Sequence, residues 1–335
     1  MTSFAQESIE LGQPVSVSAI GAGLNQLWEE NETATRASLM NLVVYSDLAQ
    51  ALLANTQVVK ALTLEHACRV LLIEAETVPT DNPSTEVWLR AHCSLGPDGR
   101  KAVCCEQVAF RMHGLSTALL HNIIFANLES DLPLVLWWQA SLSKHFNQRI
   151  YRRINRLIID SHDWQHPKTE VTALRKAYQD RSKHFVIHDL NWTRTCYLRL
   201  AIAACFEEAS DLQTLRDLQE IRIAHKLKHH MTAALLAGWI LNRLGREVPI
   251  VFEPSDTHCQ AIHGLTFTTK TKTFYVKPAE GCERYHLHIN GDDQVQDRLF
   301  PSDPKHLSQL LIDQLGRGGN SAAYFQVLDR ALPLL

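Results

Sequence analysis

The chain has 335 residues, 45% of them apolar and 21% charged, with a formal net charge of -3. That is the make-up of a soluble globular protein long enough for two hydrophobic cores, because single cores stop growing near roughly 250 to 300 residues. The charge balance offers no general attraction to nucleic acid or anionic lipid, and no segment reaches the roughly 18 apolar residues of a membrane span or begins like a secretion signal, so a cytoplasmic protein without either partner is expected.

IGAGLNQLWEE, with Leu24, Leu27 and Trp28 at helical spacing, reads as a short amphipathic helix. The preceding VSVSA and the glycines Gly21 and Gly23 imitate the strand and G-x-G start of a dinucleotide fingerprint, with Asp47 at a plausible distance. The third glycine is missing, since its place is Gln26, so no cofactor is assigned there. RASLMNLVVYSD then predicts a strand, DLAQALLANTQVVKAL a helix and CRVLLIEAE a second strand. Two extended runs flanking Gly96-Pro97-Asp98-Gly99 predict an antiparallel insertion. A helix over Leu115 to Leu128 is followed by the strand LPLVLWW. The basic helical stretch KHFNQRIYRRIN, whose Arg149, Arg152, Arg153 and Arg156 read as a solvated face, leads into RLIIDSHDW. A helix from Thr169 to Arg181, the strand FVIHDLNW and a helix from Tyr197 to Glu208 complete an alternating part.

Beyond about Ser210 the pattern changes to LQEIRIAHK as a strand, an amphipathic helix HMTAALLAGWILNRLGR closed by Gly245, and five short strands. Two terminal helices follow, separated by Gly316, Gly318 and Gly319. The expected fold is α/β: a Rossmann-like doubly wound sheet over residues 1–209, carrying the antiparallel insertion, and a strand-rich α+β domain over 210–335.

Three runs share one design, LPLVLWWQ, RLIIDSHDW and FVIHDLNW, each an apolar stretch with one or more Trp. Short Val/Ile/Leu-rich runs suit strands buried on both faces, and the carboxyl ends of such strands form the rim where ligands and partners bind. Trp137, Trp138, Trp164 and Trp192, with Asp160, Asp163 and Asp189, are expected just past those ends. There the rings serve either as core or as interface, since Trp combines large contact area with one N–H to satisfy. The aspartates supply either acid–base chemistry or caps for helices and loop amides. Eight cysteines without C-x-x-C spacing read as small buried hydrophobes. His225 and His229, four apart, suggest one helical face, and His286 and His288 one face of a strand. Neither pair has a third ligand nearby, so no metal is assigned. No nucleophile elbow or phosphate-binding P-loop is present.

TRASLMNLVVYSD, DLPLVLWWQ, RLIIDSHDW, LNWTR and ALLAGWILNRLG, in that order and spread over both parts, resemble the glucose-6-phosphate dehydrogenase assembly protein family, OpcA. The resemblance implies a protein that is not itself an enzyme. It would bind glucose-6-phosphate dehydrogenase of the oxidative pentose phosphate pathway, favour the active oligomer and activate it allosterically, raising NADPH production. It also places IGAGLNQLWEE as a helix before the first strand. Under this reading Trp137, Trp138, Asp160, Asp163, Trp164, Asp189, Trp192 and Arg194 form the partner interface, or the outer face of the second domain does. The rival reading is an α/β enzyme or sugar-phosphate-binding protein using the strand-end aspartates.

Overall fold

The computed structural model describes residues 10–29, 35–76, 78, 80–95, 101–114, 117–180, 185–206, 209–256, 259–290, 295–319 and 321–335. The chain divides into two compact units. The first comprises Met1–Ile159, Thr169–His188 and Leu311–Gly318; the second comprises Asp160–Lys168, Asp189–Leu310 and Gly319–Leu335.

The strands of the first sheet are β1 (Gln13–Val15), β2 (Thr35–Arg36), β3 (Asn41–Ser46), β4 (Arg69–Glu76), β5 (Ser84–Leu95), β6 (Lys101–His113), β7 (Leu134–Gln139), β8 (Arg156–Ile159) and β9 (Val186–Asp189). They lie in the order β1-β5-β6-β4-β3-β7-β8-β9, with β2 beside β6. The pairs β6/β4, β4/β3, β3/β7 and β7/β8 are parallel. Counted along the chain, the six strands from β6 to β9 are therefore ordered 3-2-1-4-5-6, the order of dinucleotide-binding sheets. The fold is Rossmann-like and doubly wound, as expected. The insertion is present as β5 running antiparallel to β6; its Gly96-Pro97-Asp98-Gly99 turn lies outside the described residues, as do residues 115–116 and 207–208 at the ends of two expected helices.

Every residue of β3 is buried, which explains why its run LVV carries no polar alternation: both faces are covered. Leu52, Thr56, Val59 and Leu62 recur at helical spacing and form the buried stripe of the helix Ala51–Leu62. Gly21 and Gly23 sit inside the helix Ile20–Glu29. A Cβ on Gly23 would meet Leu89 Cδ1 at 2.6 Å, so this glycine lets the helix approach β5 closely and plays no part in a phosphate loop.

The second unit holds β10 (Glu220–His225), β11 (Ile250–Pro254), β12 (Ile262–Thr268), β13 (Thr273–Pro278), β14 (Arg284–Asn290) and β15 (Val295–Pro301). Their order is β11-β10-β12-β13-β14-β15, antiparallel except for β10/β11. Burial alternates along β13 and β14, so one face carries the core and the other is left to solvent. Phe267, Phe274, Val276, Leu287 and Ile289 meet Leu198, Ala201 and Ile202 of the helix Cys196–Ala204, and Leu236, Ile240 and Leu241 of the helix His230–Leu244. Each such aliphatic side chain, fully buried, contributes about 1.5–3 kcal/mol. The helix Cys196–Ala204, expected to end the alternating part, thus packs its apolar face on the second sheet.

The helix His230–Leu244 reads as amphipathic, yet Met231 through Gly238 are buried without a break. The reason is a second neighbour, the helix Ser321–Ala331: a Cβ on Gly238 would stand 2.7 Å from Val327 O and 2.9 Å from Ala331 N. Gly238→Ala is expected to cost about 1–3 kcal/mol by forcing the two helices apart, read as a lowered urea midpoint. Gly245 ends the helix at φ +64°, as its position suggests.

Four cysteines depart from the reading of buried thiols. Cys93 and Cys104, register partners on β5 and β6, are joined as a disulfide, and so are Cys259 and Cys282. Pairing across a hairpin or between distant loops leaves no spacing signature in the sequence. Cys68, Cys105 and Cys205 are buried thiols, as expected.

Candidate functional site

In sheets of this order a dinucleotide lies where the strand order reverses, with its pyrophosphate on the N-terminus of the helix that follows the first strand. Here that point is the neighbouring carboxyl ends of β3 and β7, Ser46 and Gln139, and the helix is Ala51–Leu62. Protein groups take up the space. The carboxamides of Gln139 and Asn55 exchange two hydrogen bonds of 2.9 Å each. Glu74, near the end of β4, accepts from the Leu52 backbone N–H at 3.1 Å and from Arg111 Nε at 3.0 Å. A carboxylate of the chain itself therefore lies where the helix N-terminus favours negative charge. The connecting loop Asp47-Leu48-Ala49-Gln50 contains no glycine, and Gln50 takes φ +66°. These residues do not fit the pyrophosphate of a dinucleotide, whose close approach needs bare backbone.

Trp137 and Trp138 are strand residues, not residues beyond the strand end, because β7 continues to Gln139. Each is only 2% exposed. Adjacent residues of a strand point to opposite faces, and both faces of this sheet are covered, so the two rings are buried on opposite sides. Trp138 stacks on Tyr45 at 4.1 Å between centroids and tilts against Phe146 at 5.4 Å. Their place in the expected interface is corrected: these two rings are core.

The other six residues come together in the second unit: Asp189 at the end of β9, and the rest on the short segments that follow β8 and β9. Asp160 caps the 3-10 turn Ser161–Asp163 through the His162 N–H and receives both Nη1 and Nη2 of Arg194 at 2.6 Å. Such a bidentate charge-assisted pair fixes one segment against the other. Beneath it, Asp189 is fully enclosed. It accepts from Ser161 N at 2.9 Å, Ser161 Oγ at 2.6 Å, Asn191 N at 3.0 Å and Tyr324 OH at 2.6 Å. Asn191 bridges to Ser161 Oγ at 3.0 Å and accepts from Thr232 at 2.5 Å. With all these donors engaged, Asp189 and Asp160 do what caps do, and their geometry does not favour acid–base chemistry on an outside substrate.

On this cross-linked base the aromatic rings are partly open. Trp164 is half-buried just past the 3-10 turn, and Trp192 is half-buried in the short helix Leu190–Thr193. The Arg199 guanidinium lies 3.6 Å from the Trp192 ring centroid, and Tyr324 meets it edge-on at 6.4 Å. Asp163 is exposed beside them. The run FVIHDLNW hints at a polar cluster after β9, but nothing in it points to Tyr324, 135 positions away. Thr232 and Ser161 are likewise found only through the fold.

His225 ends β10 while His229 lies in the 3-10 turn Leu227–His229, so they do not share a helical face; His229 stacks instead on His162 at 4.2 Å. His286 and His288 do share one face of β14. No group of three or more His, Cys, Asp or Glu placed to hold a metal occurs among the described residues. No helix among them is long and apolar enough to cross a membrane.

Burial, followed by the Asp160 charge, raises the Asp189 pKa to about 6, against the lowering effect of its hydrogen bonds. Burial likewise raises Asp303 to about 7, although it accepts from Tyr197 N at 2.7 Å, Leu198 N at 3.1 Å and Tyr285 OH at 3.1 Å while capping the helix Cys196–Ala204. Both carboxyls hold a proton in the folded chain that the unfolded chain releases near about pH 3.9. Folding therefore binds more protons between those values, and the stabilisation is complete below about pH 4 and lost as pH rises through about 6 to 7. Each tenfold difference in proton affinity between the folded and unfolded chain is worth about 1.4 kcal/mol. The urea midpoint is expected to fall between pH 5 and 8, and Asp303→Asn is expected to flatten that fall.

A sheet of dinucleotide order, with its switch point filled by its own side chains and a second, open-faced sheet, defines a Rossmann-like protein whose nucleotide place is closed. The family model described as the glucose-6-phosphate dehydrogenase subunit N-terminal domain matches residues 59–176, and the model of the corresponding C-terminal domain matches residues 186–328. The chain belongs to the glucose-6-phosphate dehydrogenase assembly protein family, OpcA. A search of curated proteins finds no match. Among solved structures it is similar to an oxidoreductase from Sinorhizobium meliloti, at 9% identity and TM-score 0.47 over 87% of this chain and 86% of that one. The transcriptional regulator Gal80p from Kluyveromyces lactis matches at 9% identity and TM-score 0.44 over 91% and 87%, and myo-inositol 2-dehydrogenase from Lactobacillus plantarum at 6% and 0.42 over 87% and 95%.

Proposed function

We propose that this protein is a non-catalytic assembly factor of glucose-6-phosphate dehydrogenase, binding that enzyme in the cytoplasm and activating it allosterically by favouring its active oligomer. The observation that carries the reading is the family match running through both halves of the chain. The filled switch point, with Glu74 on the helix N-terminus and Gln139 paired to Asn55, supports a role other than nucleotide chemistry.

The interface is assigned to the segments holding Asp160, Asp163, Trp164, Trp192 and Arg194, with Asp189 as their buried support. Half-buried Trp rings on a rigid, hydrogen-bonded base are the kind of anchor that dominates binding energy. The outer face of the second sheet is the other candidate surface.

An activator acts only through unequal affinity for the active and inactive states, and a coupling of about 1–3 kcal/mol changes affinity about 5- to 150-fold. Because coupling is reciprocal, glucose 6-phosphate should tighten binding of this protein to the dehydrogenase. The test is a calorimetric titration of the cognate dehydrogenase with and without glucose 6-phosphate. A saturable complex that tightens with substrate is the expected result. A complex of unchanged affinity would reduce the role to a plain scaffold, and no complex would remove it.

A further inference from the structure

The basic stretch before β8 separates into committed and uncommitted arginines. Arg156 donates to Leu315 O at 3.0 Å, and Arg152 stands 3.9 Å from Asp180. Arg149 and Arg153 are exposed, and neither has an ion pair among the described residues. The Arg153 guanidinium lies 4.3 Å from the centre of the Phe125 ring. Phe125 and His121 are one turn apart on the helix Thr117–Ala126, so the contact with Phe125 holds Arg153 on the helix face that carries His121.

His121 is 5% exposed, and neither Nδ1 nor Nε2 has a hydrogen-bond partner among the described residues. A buried polar group without a partner is costly, and an imidazole has two such groups. Burial, then the charges of Arg149 and Arg153, lower its pKa and favour the neutral ring, whose N–H donor has no acceptor among the described residues. Two guanidiniums and an imidazole N–H, none with a side-chain acceptor among the described residues, suit an acceptor-rich anion. The planar fork of Arg matches phosphate oxygens in pairs, and stacking on Phe125 holds one fork in place.

We propose that His121, Arg149 and Arg153 form a binding site for a small phosphomonoester dianion, held by the two guanidiniums and completed by the imidazole N–H. The site is independent of the dehydrogenase reading and is tested on this chain alone. The full chain, labelled with 15N in its histidine rings, is titrated with inorganic phosphate at ionic strength held constant by sodium chloride. The His121 signal is identified by its loss in His121→Gln. The expected result is a saturable shift of that signal, with affinity at least about 10-fold weaker in Arg149→Ala/Arg153→Ala, while the ring of His92, bonded to Gln107 at 2.8 Å, does not move. An absent or non-saturable shift, an equal shift with chloride alone, or a double variant that titrates like the parent chain overturns the site. Both arginines are exposed, so the double variant is expected to stay folded and to lose at most the stack of Arg153 on Phe125.

Discussion

Asp189→Ala is expected to destabilise the second unit by about 3–5 kcal/mol, the size reached when a buried hydrogen-bond network loses its shared acceptor. The size follows from what is left behind. Ser161 N, Asn191 N and Tyr324 OH each lose their acceptor in a place water does not reach, and Ser161 Oγ loses one of its two partners. Each stranded donor costs about 1–3 kcal/mol, partly relieved where a hydroxyl turns elsewhere. Asp189→Asn keeps one acceptor oxygen and should lose about half as much, whereas Asp163→Ala, on an exposed side chain nearby, should stay within about 0.5 kcal/mol. Urea titrations of the three variants check the ranking. If Asp189→Ala matched Asp163→Ala, the network around Asp189 would not hold the segments together.

Trp164→Ala/Trp192→Ala is expected to weaken binding to the cognate dehydrogenase about 30- to 1,000-fold, the effect of losing about 2–4 kcal/mol from one dominant anchor or two smaller ones. Trp192→Ala also releases the Arg199 stack, at about 0.5–1 kcal/mol of stability, so folding is monitored beside binding. Trp138→Ala serves as the contrast. Its ring is enclosed between Tyr45 and Phe146, so it should lower stability by about 3–5 kcal/mol while the fraction that stays folded binds as before. Full binding by the Trp164/Trp192 variant would move the interface to the outer face of the second sheet, where Tyr275, His286 and His288 are the residues to change next.

The strands of both sheets were legible because a strand covered on two faces carries an unbroken apolar run, as in LVV of β3, and a strand covered on one face alternates, as in β14. Gly245 marked a helix end for an equally local reason, its φ of +64°. What could not be read depends on distance along the chain. The burial of Trp137 and Trp138 is decided by where β7 ends, one residue beyond them, and sequence periodicity does not resolve a boundary that finely. The base of the Trp164 and Trp192 segments needs Tyr324, and the cap of the helix Cys196–Ala204 needs Asp303, both more than 100 positions away. Glu74 of β4, which accepts from the first turn of the helix Ala51–Leu62, is closer, yet its role appears only when β4 is laid beside β3. The disulfides are of the same kind, set by register and loop approach rather than by spacing.

The most direct test of the assembly role is the steady-state rate of the cognate glucose-6-phosphate dehydrogenase at subsaturating glucose 6-phosphate, with and without this protein, beside this protein alone. The expected result is a faster mixture, with the apparent substrate affinity raised about 5- to 150-fold and no rate from this protein by itself. An unchanged rate at every ratio of the two proteins would contradict it.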